Sequence, residues 1–134
     1  MSLPPDRPSR FPPPIQQGRL RVISGGQTGV DRAALDAAMT LGLAVGGWCP
    51  RGRWAEDGPI PTRYPLIETP LARVVQRTFW NVRDSDATLV LVQGRARGGT
   101  LATIRQAAGR RPLLVLDPQA HNAMARARAF VAHH

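Results

Sequence analysis

The sequence predicts an α/β domain built on a parallel sheet with helices on both faces, a three-layer arrangement. Three observations predict it. Short apolar runs at Leu20–Ile23, Leu43–Val45, Ala87–Val92 and Pro112–Leu116 alternate with stretches of helical periodicity, the pattern of βαβ units. The run Ala87–Val92 is almost continuously apolar, as strands covered on both faces are. Glycine-rich turns follow the first and third runs, where a strand hands over to a helix. A length of 134 residues fits one domain, since domains run ~100–200 residues.

Residues 1–18 stand apart. Six of the 13 prolines (Pro4, Pro5, Pro8, Pro12, Pro13 and Pro14) fall there, and such a segment favours extended polyproline conformations and builds no core. It is expected to form an arm lying on a neighbouring subunit, with the domain proper running from 19 to 134. Behind the first strand, Val30, Ala33, Ala34, Ala37, Ala38 and Leu41 recur at helical spacing, and Gly42 sits where a C-cap belongs. Residues 50–65 read as a loop rich in Arg, Gly and Pro. A helix is expected to open at Thr69-Pro70, threonine as N-cap and proline in the first turn, with a stripe of Leu71, Val74, Val75, Thr78, Phe79 and Val82. Another helix is expected from about Thr100 to Gly109. The last opens at Asp117-Pro118 and shows Met124, Ala127, Phe130 and Val131 on one face.

Composition narrows the classes. Eighteen basic residues against nine acidic ones leave a formal charge of +9, and every basic residue is arginine. A base-composition bias explains that first; a bidentate partner for phosphates or carboxylates explains it second. A hydrophobic content of 43% excludes a charge-driven disordered chain. One cysteine, Cys49, excludes an intramolecular disulfide framework and fits a reducing compartment. No apolar run approaches the ~20 residues of a membrane helix, and no apolar h-region marks a signal peptide. A cytoplasmic location is the expectation.

Ligands of an open parallel sheet gather beyond the carboxyl ends of its strands. The turn Ser24-Gly25-Gly26-Gln27-Thr28-Gly29-Val30-Asp31-Arg32 occupies such an end. Its glycines admit close backbone approach, and the helix behind it offers bare amides and the positive end of a dipole to a phosphate. It matches neither G-x-G-x-x-G nor G-x-x-x-x-G-K-[ST], so it is no common dinucleotide or triphosphate motif; a tight turn packed for its own sake is the alternative. Gly98-Gly99-Thr100 repeats the arrangement after Ala87–Val92, flanked by Arg95 and Arg97. Trp48 or Trp54 could stack on a flat heterocycle, or be core. Cys49 reads as a buried filler, with no His or second Cys at metal spacing beside it. Glu56-Asp57 and Asp84 with Asp86 are either ligand-recognising acids or solvated turn formers.

The string Ser24-Gly-Gly-Gln-Thr-Gly-Val-Asp-Arg-Ala-Ala-Leu-Asp36 resembles the signature of the molybdenum-cofactor carrier family, a branch of the Rossmann-like group that includes LOG and lysine-decarboxylase-like proteins. The likeness continues through Gly47-Trp48-Cys49-Pro50-Arg51-Gly52-Arg53, Ala55–Pro61, Arg77-Thr78, Trp80–Thr88 and Gly98-Gly99-Thr100, collinear over about residues 19–117. The resemblance implies a Rossmann-like, doubly wound sheet. It also implies a carrier that shields molybdopterin, works as a homo-oligomer (dimer or tetramer) and has molybdoenzymes as possible recipients. Family members run on to a further strand and an Asn-Val-Ala-Gly-Pro-Arg-Glu-Ser segment that this sequence lacks, so a neighbour or the proline arm is expected to complete the pocket.

The reading is therefore a domain that binds a phosphorylated pterin, the molybdenum cofactor, without turning it over. The phosphate is expected on Gly25, Gly26, Gln27, Thr28 and Gly29 and on Gly98, Gly99 and Thr100. Arg32, Arg51 and Arg77 are the candidates for charge neutralisation, Asn81 and Asp86 for polar recognition. A nucleotide N-glycosidase or hydrolase of the LOG type is the first alternative. Leu101, Ala102 and Thr103 follow Gly99-Thr100 where its glutamates would stand, and glycosidic cleavage wants a carboxylate there. A nucleotide-binding sensor is the second alternative. Nucleic-acid binding has only the +9 charge behind it and no recognition motif.

Overall fold

The computed structural model describes residues 20–134; the proline-rich arm predicted for 1–18 lies outside them. Order along the chain is mixed α/β, with four helices among the described residues. The chain divides after Asp84 into two compact units, and each is described by itself.

In the first unit, strand β1 (Arg21–Ile23) leads through the glycine turn into helix α1 (Val30–Thr40), and β2 (Ala44–Gly46) returns parallel to β1 in the register Arg21↔Ala44 to Ile23↔Gly46. The sequence marks the C-terminal end of α1. The Gly42 amide donates to the Met39 carbonyl and the Leu43 amide to that of Ala38, so a Schellman motif closes the helix at the predicted glycine. Leu35 and Ala38 bury its inner stripe.

After β2 the chain changes partner. Strand β3 (Trp48–Cys49) runs parallel to β6 (Ile67–Glu68), and between them β4 (Trp54–Ala55) and β5 (Gly58–Pro59) form an antiparallel hairpin inside the stretch expected to be plain loop. Among the described residues each ladder is two-stranded. Gly47 is where the switch occurs. At φ 141° it separates β2 from β3, and a Cβ on it would stand 2.0 Å from the Ser24 carbonyl oxygen.

Helix α2 spans Val74–Arg83, not the span from Thr69-Pro70. The Thr69 hydroxyl donates to the carbonyls of Leu71 (2.8 Å) and Cys49 (3.3 Å) instead of accepting an amide. Gln76 Oε1 reaches back to the Leu71 amide at 2.7 Å. Only part of the expected stripe is covered: Thr78 and Val82 are buried and Val74 and Phe79 half-buried, but Leu71 and Val75 are exposed, and the polar Gln76 and Arg77 are buried with Trp80. Trp80 meets the wholly buried Trp48 edge to face at 4.8 Å, a geometry favoured by the ring quadrupoles. A second cluster joins Leu35, Cys49, Ala55, Ile60, Tyr64 and Leu66. Arg53 organises the loop over it: its guanidinium donates to the carbonyls of Ile60, Pro61, Tyr64 and Leu66 at 2.9–3.2 Å.

The second unit pairs β7 (Thr88–Leu91) with β8 (Leu113–Leu116) in parallel, in the register Thr88↔Leu113 to Leu91↔Leu116. Helix α3 (Gly98–Ala107) crosses between them, packed on both, and α4 (Ala123–His133) packs on β8. The last helix opens later than Asp117-Pro118. The Asp117 carboxylate accepts the Gln119 amide at 2.9 Å, and this local bond keeps the backbone in turns. On α4 only part of the predicted face is covered: Ala127 and Phe130 are half-buried, Met124 and Val131 exposed.

Gly47→Ala is expected to lower stability by about 2–5 kcal/mol, from overpacking against fixed backbone plus left-handed strain. Gly46→Ala, whose Cβ would meet nothing within 4 Å, is expected to stay within about 1 kcal/mol of the parent. Thermal and urea unfolding of the two variants checks the contrast.

Candidate functional site

The turn between β1 and α1 is built around a guanidinium. Arg77 is 7% exposed, and a Cβ placed on Gly25 would fall 1.8 Å from its Nη1 and 2.8 Å from its Cδ and Cζ. The Cδ–Nε–Cζ–Nη1 run thus lies flat on Gly25, a contact that any side chain there would abolish. Arg77 Nη1 donates to Asp31 Oδ2 at 3.2 Å, while its buried Nε has no hydrogen-bond partner among the described residues. Gly26 is fixed by a positive φ of 75° and by Leu66 Cδ1, 2.5 Å from where its Cβ would be.

Around this pair the turn is stitched by its own polar groups. Ser24 Oγ donates to the Asp31 carbonyl at 2.8 Å and accepts the Gly26 amide at 3.3 Å. Gln27 Oε1 accepts the amides of Thr28 (3.0 Å) and Glu56 (2.9 Å), which fastens the β4–β5 hairpin to the turn. Arg32 adds a second fastening: it donates twice to the Gly26 carbonyl, at 3.0 and 3.3 Å, and holds the Asp57 carboxylate in a fork. That hydrogen bond pulls the Asp57 carboxyl below its ordinary range and raises Arg32. Gly29, with φ 85°, takes the N-cap position, and no side chain caps α1. The amides of Gly29, Val30 and Asp31 have no partner among the described residues, as expected at a helix start.

The structure thus brings Gly25, Gly26, Gln27, Thr28, Gly29, Arg32 and Arg77 to one place. Of the remaining candidates, Arg51 and Asn81 belong to the same unit and Asp86, Gly98, Gly99 and Thr100 to the second. Arg51 is exposed on the turn after β3. Asn81 uses both ends of its amide on Trp48, accepting its N–H at 2.7 Å and donating to its carbonyl at 3.0 Å. Asp86 is exposed in the second unit, as are Gly98 and Gly99, where a Cβ would meet nothing within 4 Å; Thr100 is half-buried in the first turn of α3.

The aromatic alternatives also separate. Trp48 is core, its Nε1 donating to Asp84 at 2.7 Å, while Trp54 on the fastened hairpin is 52% exposed. Burial pushes the Cys49 thiol up, which makes it inert. Among the described residues no group of three or more His, Cys, Asp and Glu could hold a metal ion, and no helix is long and apolar enough to cross a membrane. Sequence reasoning left Asp31, Arg53 and Tyr64 out of the site. Tyr64 donates its hydroxyl to Asp36 at 2.6 Å beneath the turn's helix, and that bond raises its pKa. A motif gives no sign of which of 18 arginines will be buried.

Unpaired amides, a glycine approached to contact and a buried guanidinium form the donor set that α/β ligand-binding domains offer to an anion at a strand-to-helix turn. The chain belongs to the circularly permutated YpsA SLOG family, whose model matches residues 22–134. It is similar to a solved structure named "putative molybdenum carrier protein" from Syntrophus aciditrophicus SB: 40% identity and a TM-score of 0.79, covering 87% of this chain and 77% of that one. No curated protein matches it.

The lowered Asp57 carboxyl fixes a pH dependence. Its contribution is complete above the ordinary aspartate value of about 3.9 and is lost as pH falls through the lowered folded-state value. Asp57→Asn is expected to lower the melting temperature modestly at neutral pH and to converge on the parent as pH falls below about 4, so that the acid limb of its profile is flatter. Melts from pH 2 to 7 on both proteins test this.

Proposed function

We propose that the chain binds a phosphorylated pterin, the molybdenum cofactor as cargo, and releases it chemically unchanged. The phosphate would rest on the Gly25–Gly29 turn, taking the amides at the start of α1 and the Arg77 guanidinium. The observation that carries this reading is Arg77 itself. A guanidinium 7% exposed, laid on Gly25, with an unpartnered buried Nε, is an arrangement that stability alone does not favour, since an unsatisfied buried donor costs about 1–3 kcal/mol. An anion at the helix start would repay it.

Support for a pterin over a nucleotide comes from the name of the Syntrophus protein and from the signature string at Ser24–Asp36. Trp54, exposed on a hairpin that Gln27 and Arg32 tie to the turn, is the surface we assign to the flat ring. Arg51, also exposed, is assigned to outer charge neutralisation. Homo-oligomerisation, a cytoplasmic location and delivery to a molybdoenzyme go with this reading.

Protein purified without oxygen is expected to carry a pterin detectable by native mass spectrometry. Titration calorimetry with a phosphorylated pterin should show Arg77→Met weakening binding about 10–150-fold, the equivalent of the ~1.5–3 kcal/mol of a charge-assisted hydrogen bond. Equal affinity in a folded Arg77→Met variant would remove the phosphate from this turn. Incubation with nucleoside monophosphates should release no free base above background; turnover would replace the carrier with a hydrolase.

A further inference from the structure

We propose that Asp31 gates the anion site at the glycine turn: its carboxylate stands on Arg77 where an incoming phosphate must stand, and it has to yield that place. The inference rests on the anion-binding reading of the turn. Two groups hold the Asp31 carboxylate, the Gln27 amide at 3.3 Å and Arg77 Nη1 at 3.2 Å. Both bonds are long beside the ~2.7–2.9 Å of a good charge-assisted contact.

The two partners are unequally placed. The Arg77 side chain is 9% exposed and that of Asp31 38%. Leaving the pair returns the carboxylate to water, whereas the guanidinium stays where it is. The Asp31 backbone need not move, because the first turn of α1 and the Ser24 hydroxyl on its carbonyl (2.8 Å) hold it. Rotation of the side chain is enough.

The present pair also leaves donors unused. Asp31 takes Nη1 of Arg77, yet among the described residues nothing pairs with the buried Nε or with the amides at the helix start. A tetrahedral phosphate offers more acceptor oxygens than one carboxylate, so it can satisfy donors that Asp31 cannot. Once it is seated, Asp31 remains close by with charge of the same sign. That repulsion opposes retention, which gives a cargo protein affinity low enough to let go.

Asp31→Asn keeps the size and one acceptor oxygen but removes the charge; Asp31→Ser is a second variant that retains a first-turn acceptor. Binding of inorganic phosphate to the full chain, followed by calorimetry at constant ionic strength, is expected to tighten about ten- to a hundredfold in both, from loss of a like-charge contact partly screened by water. Melting curves establish that each variant is folded. Unchanged or weaker phosphate binding in the folded Asp31 variants, with loss in Arg77→Met, would overturn the gate and leave the site standing; the weaker case makes Asp31 a prop for Arg77. Phosphate binding to neither the parent nor any folded variant overturns the site, and the gate with it.

Discussion

The first unit depends on one contact: the Arg77 guanidinium lying on Gly25 and reaching Asp31. It joins α2 to the β1–α1 turn, two elements 46 positions apart. Remove the glycine's bare Cα and the guanidinium has no room. Remove the guanidinium and the α2 face that carries it buries nothing in its place. The inward-facing polar residues of α2 follow from this, because a helix delivering a charge to a turn cannot present a purely apolar stripe there.

Arginine does similar work elsewhere in this unit. Arg53, at a positive φ of 54°, gathers four backbone carbonyls of the 60–66 loop, groups that would otherwise need water. Arg32 ties Gly26 to the hairpin through Asp57. A planar fork with five donors suits such tasks, and a lysine could not span them. The charge excess is therefore spent partly on architecture: three guanidiniums that looked equivalent as composition are a cradle, a loop organiser and a hairpin clasp.

Legibility in the sequence varied with the range of the forces. Helix α1 and its Gly42 stop could be read because propensity, periodicity and cap are neighbours in the chain. The start of α2 could not, since Thr69 donates its hydroxyl to carbonyls and Gln76 supplies the return bond to Leu71; residue type at Thr69-Pro70 gives no hint of that choice. The β4–β5 hairpin hid in a stretch of Arg, Gly and Pro for the same reason: two-residue strands carry no periodicity. Asn81 shows the limit for site residues. Its amide suits a ligand or a backbone equally, and the fold brings Trp48 to it.

The amino-acid sequence by itself determined the α/β class, the parallel returns, the glycine turn and the helix behind it, for each is written in residues within one turn or strand of one another. Tertiary structure decided which arginine would be buried, which tryptophan would be core, and which carboxylate would face Arg77. Those choices depend on where distant segments meet. A guanidinium is solvated or structural according to what backbone and carboxylate surround it, and the side chain's identity is silent on that.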